Sequence, residues 1–351
     1  MQNFRKLHQP TDRTIVFQDQ RYLFFGGTAY LGLLANAEYI ELFKKGIDIY
    51  GLNNGTSRSN NVQLGVYDEA EEALAKRFNF NASAMFSSGY LAAQAAVQVI
   101  SKLGKVYYAP NAHPALWLGV NPQSNCDSFS KWVDIVIDEI NDSKESDFVI
   151  ITNSLDNLKP ELYDFTKFSK IDKSKNIILI LDDSHGIGVL RKNEISMPLE
   201  VLNNCGNIEI VVVASLAKGL GTDAGVVMGS ADMVARVKSH PIFMGGSPAS
   251  PAAMYALIHG VSIYNNSFDK LHRNIAEFSD YIKTVPTLNA VKSFPVFTSE
   301  NPSLYDYLKN NNILISSFPY PLADSPLLNR IVISALHEKQ DLEKLAYLLQ
   351  T

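Results

Sequence analysis

Two cysteines, Cys126 and Cys205, are all that 351 residues contain. They cannot build a disulfide framework, and with no CxxC pair the sequence offers no cysteine metal site. A reduced, cytoplasmic setting is the expectation. No stretch of eighteen or more uncharged apolar residues suggests a membrane span, and the polar start Met1-Gln2-Asn3-Phe4-Arg5 lacks the apolar core of a secretory signal. A basic block is missing too. The 31 Lys and Arg and 36 Asp and Glu are dispersed to a net charge of -5, which leaves nothing to neutralise the phosphates of a nucleic acid. No GxGxxG follows an early strand, which speaks against a nucleotide-dependent dehydrogenase. Repeats and low-complexity linkers are also absent.

What is present is globular. Hydrophobic residues make up 46% and charged residues 19%. The length exceeds the usual single domain, so a large domain plus a smaller one is expected. From about residue 70, helical stretches alternate with short apolar runs, the rhythm of a mainly parallel sheet covered on both faces. The runs Phe148-Val149-Ile150-Ile151, Ile177-Ile178-Leu179-Ile180-Leu181 and Ile210-Val211-Val212-Val213 read as strands buried on both sides. Each ends in polar residues: Thr152-Asn153-Ser154, Asp182-Asp183-Ser184-His185-Gly186, and Ala214-Ser215-Leu216-Ala217-Lys218-Gly219. Ligands of open α/β sheets bind beyond the carboxyl ends of the strands, so these tips are expected to converge on one site. After Pro241 the pattern changes to a long helical segment from about Ala252 to Thr284, a mixed region ending in Arg330-Ile331-Val332-Ile333-Ser334, and a final helix. The large domain is therefore placed at 45–240. Residues 1–44, with the short strand Tyr22-Leu23-Phe24-Phe25, join 241–351 in the smaller α+β domain.

The polar tips carry the chemistry. Lys218 follows a buried strand and is flanked by glycines, a setting in which a partly desolvated amine loses its proton and becomes nucleophilic. Asp182 ends an apolar run, and its carboxylate needs a cation there. A pyridinium N–H is such a cation, and a protonated pyridine ring is an electron sink for a carbanion at a substrate's α-carbon. Asp182 could equally cap a following helix, although Asp183 and Ser184 serve that purpose as well. His185 could bond a cofactor's phenolic oxygen or a substrate carbonyl, or be structural. His113, after the strand-like Lys105-Val106-Tyr107-Tyr108, could stack on a pyridine ring or pack in its loop beside Trp117. The segment from Ala84 to Gln94 reads as strand, glycine turn and helix; the helix N-terminus would seat a phosphate on Ser88, Gly89 and Tyr90, with Ser215 adding a hydroxyl.

Together these segments resemble the α-oxoamine synthase family of fold-type I pyridoxal-phosphate enzymes. Tyr30-Leu31-Gly32-Leu33 is similar to the family's N-D-Y-L-G-L, Thr56-Ser57-Arg58 to G-S-R, and Phe86 to Gln94 to F-x-S-G-F-x-A-N-Q. Asp182 to Val189 resembles D-D-A-H-G-x-G-V, and Ser215-Leu216-Ala217-Lys218-Gly219 resembles T-F-x-K-G. The stretch after Thr152 departs from the family's T-E-x-x-x-S-M-x-G, and Pro114 replaces the usual residue after the histidine. The resemblance implies an aspartate-aminotransferase-like α/β fold and pyridoxal 5'-phosphate as cofactor. It makes Lys218 the Schiff-base lysine, Asp182 the pyridinium partner, His113 the stacking residue and His185 the phenolic-oxygen or substrate contact. Ser88, Gly89, Tyr90 and Ser215 would hold phosphate, joined by Ser247 from the second subunit of a homodimer with shared sites. Arg330 would bind the amino-acid carboxylate in a bidentate fork. The implied reaction joins an amino acid to an acyl-CoA thioester with loss of carbon dioxide. Two alternatives stand beside it, an aminotransferase or other amino-acid-transforming enzyme of the same fold and a non-catalytic relative. No metal, nucleic acid or membrane enters any of these readings.

Overall fold

The structure, a computed structural model, describes residues 4, 6–122, 124, 126–202, 205–283, 285, 288–319 and 325–350. In chain order its first half holds β1 (Thr14–Phe17), β2 (Gln20–Phe25), α1 (Ala37–Tyr50), α2 (Val66–Arg77), β3 (Ala82–Phe86), α3 (Gly89–Ile100), β4 (Lys105–Tyr108), α4 (Phe129–Asp142) and β5 (Asp147–Asn153). A short hairpin, β6 (Leu155–Asp156) and β7 (Glu161–Leu162), precedes β8 (Asn176–Asp182), β9 (Ile208–Ser215) and β10 (Gly225–Gly229). Helices α5 (Ala231–Lys238), α6 (Pro241–Gly245), α7 (Pro251–His259) and α8 (Val261–Tyr281) follow. Last come β11 (Asn289–Ala290), β12 (Val296–Ser299), α9 (Leu304–Asn310), β13 (Ile313–Pro319), β14 (Leu327–Val332) and α10 (Lys339–Gln350).

The three apolar runs are the centre of a six-stranded sheet ordered β3-β10-β9-β8-β5-β4. Neighbours among β9, β8, β5 and β4 pair in parallel. Strand side chains alternate between faces, and each run feeds two separate cores. Ile150, Leu179, Leu181 and Val212 point into one. Val149, Ile151, Ile180, Val211 and Val213 point into the other, under the alanine-rich α3. Both faces being covered is why the runs are continuously apolar rather than alternating. β10 was not among the strands expected from sequence. It is only five residues, Gly-Val-Val-Met-Gly, fully buried and antiparallel to both neighbours.

A second six-stranded sheet, ordered β1-β2-β13-β14-β12-β11, draws strands from both ends of the chain. β13 joins them, parallel to β2 and antiparallel to β14. The expected long helix over 252–284 is two helices broken at Gly260, and Thr284 lies outside the described residues. A Cβ at Gly260 would stand 2.8 Å from Ala256 O and 3.0 Å from the Tyr39 ring, so close approach to α1 fixes a glycine there. After Asp182 no helix follows. The chain runs through consecutive turns to Leu190, so the capping role weighed for Asp182 takes another form.

Candidate active site

Register brings the polar tips together. Asn153 at the end of β5 lies beside Asp182 at the end of β8, which in turn pairs with Val213 of β9. Lys218 stands three residues past β9. These tips face β14 and the end of β13 across a cavity of about 330 Å³, lined by Asn111, His113, Asn153, Asp182, His185 and Lys218 on one side and Ser316, Phe318 and Arg330 on the other. Gly27, Thr28 and the segment Ser154 to Leu158 complete the wall.

Burial holds the Lys218 amine below its ordinary range; Asp182 opposes that shift and Arg330 adds to it. An amine so placed loses its proton more readily than a surface lysine. Asp182 Oδ1 accepts from Ser184 N–H at 2.9 Å, which caps the turn and orients the carboxylate. Asp183, one residue on, is fully buried and does no capping. It accepts from Ser154 Oγ at 2.5 Å, from Ser196 N–H at 2.9 Å and from Ser196 Oγ, tying the β5 tip to the turn after β8. Burial pushes its carboxyl up to about 7, against the pull of those donors.

His113 is pinned by its own loop. Its Nδ1 accepts from Ala115 N–H at 3.1 Å, its backbone N–H donates to Asn153 Oδ1 at 3.1 Å, and Pro114 opens the short turn that follows. Burial lowers its pKa, helped by Lys218 and resisted by Asp182. His185 is held neutral more firmly, well below the usual imidazole range, by burial and then by Lys218, Arg330 and His113. Its Nδ1 lies 2.8 Å from Tyr30 Oη. Arg330 is 3% exposed. Its guanidinium donates to Gly27 O at 3.1 Å and to Tyr30 Oη at 2.7 Å, while Nε, buried, has no hydrogen-bond partner among the described residues. An unpartnered donor on a buried cation is costly to leave unmade, and a carboxylate in the cavity would relieve it.

The residues expected at a phosphate are placed differently. Ser88 is the N-cap of α3, its Oγ accepting from Leu91 N–H at 3.3 Å. A Cβ on Gly89 would come within 2.5 Å of Ser215, so the α3 N-terminus lies directly against the end of β9. Ser215 N–H donates to Ser184 Oγ at 2.8 Å. Tyr90 and Ser247 are exposed, and none of these five lines the cavity. Sequence reasoning treated Tyr30 only as part of a motif and Asp183 as part of a motif and a spare cap; the motifs mark the positions, but the partners of these side chains appear only in the fold. Among the described residues no cluster of three or more His, Cys, Asp or Glu side chains could hold a metal ion, and no helix is long and apolar enough to cross a membrane.

Residues 25–349 match the family model described as aminotransferase class I and II. The chain belongs to that family. Among curated relatives, this class I/II aminotransferase family member is 23% identical over 359 residues to the 8-amino-7-oxononanoate synthase of Buchnera aphidicola subsp. Baizongia pistaciae, covering 95% of this chain and 90% of the relative. It is 25% identical over 344 residues to the putative 8-amino-7-oxononanoate synthase of Methanocaldococcus jannaschii, covering 93% and 91%. These relatives agree with the resemblance to α-oxoamine synthases read from the motifs. Among solved structures, serine palmitoyltransferase from S. paucimobilis with a bound PLP–myriocin aldimine superposes with a TM-score of 0.81 at 15% identity, covering 98% of this chain and 91% of that one. The 8-amino-7-oxononanoate synthase of Francisella tularensis gives 0.68 at 18%, covering 93% and 96%. The family member therefore has the expected α/β aminotransferase fold.

Proposed function

We propose that this protein is a pyridoxal-phosphate-dependent acyltransferase that condenses an amino acid with an acyl-CoA thioester, releasing carbon dioxide and giving an α-amino ketone. The observation that carries the reading is the convergence of Lys218, Asp182, His185, His113 and Arg330 on one cavity. The curated relatives, which bear the name of such a synthase, support the same reaction class.

The residues present fit the cofactor. Lys218 offers a buried amine of lowered pKa, Asp182 a carboxylate, and Arg330 an unpartnered buried donor. Lys218 would hold the aldehyde carbon, Asp182 the pyridine nitrogen, His113 a ring face and His185 the phenolic oxygen. Ser88, Gly89, Tyr90 and Ser215 would take the phosphate at the α3 N-terminus, with Ser247 of the partner subunit in a homodimer. When bound, pyridoxal phosphate supplies an electron sink for the bond broken at the α-carbon. Arg330 orients the amino acid by its carboxylate, and the Lys218 amine, with its lowered pKa, moves the proton at that carbon. The division into a cofactor-binding domain at 45–240 and a smaller domain of 1–44 and 241–351 is supported by one sheet falling in each part, with α1 running across the 44/45 boundary.

The family's description favours a second reading, aminotransfer, for which the same lysine and aspartate would serve. A matrix of amino acids against acyl-CoA thioesters, scored for free CoA, separates the two. CoA release that needs both substrates and pyridoxal phosphate supports the synthase. Amino transfer to an oxo acid without CoA release moves the protein to the second reading, and a preparation that binds no pyridoxal phosphate sinks both.

A further inference from the structure

Three side chains form an unbroken hydrogen-bonded chain between the two sheets. Arg330 donates to Tyr30 Oη at 2.7 Å, and Tyr30 Oη lies 2.8 Å from His185 Nδ1. The hydrogens follow by elimination. A guanidinium has only donors, so Tyr30 Oη accepts from Arg330; were it also to accept from an Nδ1–H, its own hydrogen would have no acceptor among the described residues in a fully buried site, so that hydrogen goes to His185 Nδ1. A ring nitrogen that accepts carries no proton, so the neutral imidazole keeps its hydrogen on Nε2.

We propose that Tyr30 is a positioning residue that locks His185 as the neutral Nε2–H tautomer, making it a fixed donor toward the cavity and linking it to the arginine that takes the substrate carboxylate. The role of the cavity rests on the functional reading above; the tautomer does not. Tyr30 is itself held rigidly. It is fully buried, its ring lies 6.2 Å from that of His185 at 60° and 6.1 Å from Phe294, and its carbonyl accepts from Ala335 N–H at 2.9 Å. A phenol with no access to water must keep its hydroxyl bonded, so the Arg330–Tyr30–His185 order cannot relax by solvation. Burial, Lys218, Arg330 and His113 disfavour an imidazolium at His185 against the acidic Asp182 and Asp156 that line the same cavity, which leaves the tautomer as the freedom to fix. With the opposite tautomer, the Nε2 lone pair would face any anionic oxygen in the cavity and repel it. With this one, a donor is preorganised where negative charge develops.

The test is ¹⁵N NMR of the histidine rings in the full chain, with and without pyridoxal phosphate, His185 being assigned from a His185→Gln variant. From about pH 6 to 8, where an ordinary histidine titrates, His185 is expected to show a protonated Nε2 and a bare Nδ1 throughout. Tyr30→Phe, which keeps the ring and removes only the hydroxyl, is expected to release a mixture of tautomers and to lower kcat roughly ten- to a hundredfold, as loss of a hydrogen bond in a charged network does. An Nδ1–H tautomer or an imidazolium in the wild-type protein overturns the proposal even where the variant fails to fold. An unchanged tautomer or an unchanged kcat in a folded Tyr30→Phe overturns it as well. Failure to bind pyridoxal phosphate would sink the functional reading, and the tautomer in the cofactor-free chain would still decide this one.

Discussion

Among the described residues, Lys218 and Arg330 are the Lys and Arg side chains lining the cavity, and their environments differ. Lys218 has a lowered pKa and sits among strand tips; Arg330 is anchored on β14 with its Nε–H unpartnered among the described residues. Lys218→Ala is expected to abolish covalent retention of pyridoxal phosphate. Borohydride reduction and peptide mapping check this on the wild-type protein, where an adduct on any other lysine would remove the assignment. Arg330→Ala is expected to weaken amino-acid binding on the order of ten- to a hundredfold, from the roughly 1.5–3 kcal/mol of a charge-assisted fork, while the absorbance of bound cofactor stays nearly unchanged. Unaltered amino-acid affinity in a spectral titration would place carboxylate recognition elsewhere. Lys218, Asp182 and His185 were legible because each belongs to a strand tip with its own local pattern. Tyr30 was not, since its partners stand 155 and 300 residues away and its meaning exists only once two sheets face each other.

At the scale of elements, continuous apolar runs gave away β5, β8 and β9, because a strand covered on both faces has nowhere to put a polar side chain. The small strand β10 and the break between α7 and α8 escaped, the first for its brevity and the second because Gly260 answers to packing against Tyr39 rather than to helical periodicity. The joint between β2 and the segment after β14 is also made by a contact no pattern announces. His337 is 1% exposed and stacks on Phe25 at 3.9 Å. Its Nδ1 accepts from Ser334 N–H at 3.0 Å, so its Nε2–H donates to Phe24 O at 3.0 Å. Burial pushes its pKa down to about 4. As pH falls below the ordinary histidine value of about 6.5, the unfolded chain takes up a proton that the fold refuses, and stability is lost until the native imidazole titrates too. The stability advantage of wild type over His337→Gln, measured by denaturant unfolding, should therefore shrink by about 3 kcal/mol between neutral pH and pH ~4. A constant difference across that window would show that the ring protonates freely in the fold.

For the molecule as a whole, α6 and the segment after it, on either side of the exposed Ser247, are bonded to loops that bear bare apolar side chains. Met244 O accepts from Ser59 N–H at 3.3 Å, and Ser250 Oγ donates to Leu52 O at 3.4 Å. Leu52 is 74% and Val62 71% exposed, a state that a second copy of the chain would relieve. We expect a homodimer in sedimentation analysis, with pyridoxal phosphate retained only by the assembled form. A monomer that holds the cofactor tightly would defeat the shared site.

The pairing of β2 with β13 has a consequence for how the molecule is made. Leu23 finds its parallel partner at Ile313, some 290 residues later. At a synthesis rate of roughly 5–20 residues per second, the edge of the first hairpin waits on the order of 15–60 s for its neighbour. The whole central sheet, from β3 to β10, emerges from the ribosome in that interval and is free to fold first. Hydrogen exchange on chains stalled after residue 260 should find protected amides in β8 and β9 and an unprotected one at Leu23, whose N–H donates to Asn312 O in the finished fold; protection of both would mean that the hairpin is shielded by some earlier contact. Until the last strands arrive, the side of β2 that carries the Leu23 N–H is a sticky, unmet strand edge, open to aggregation in a newborn molecule of this protein.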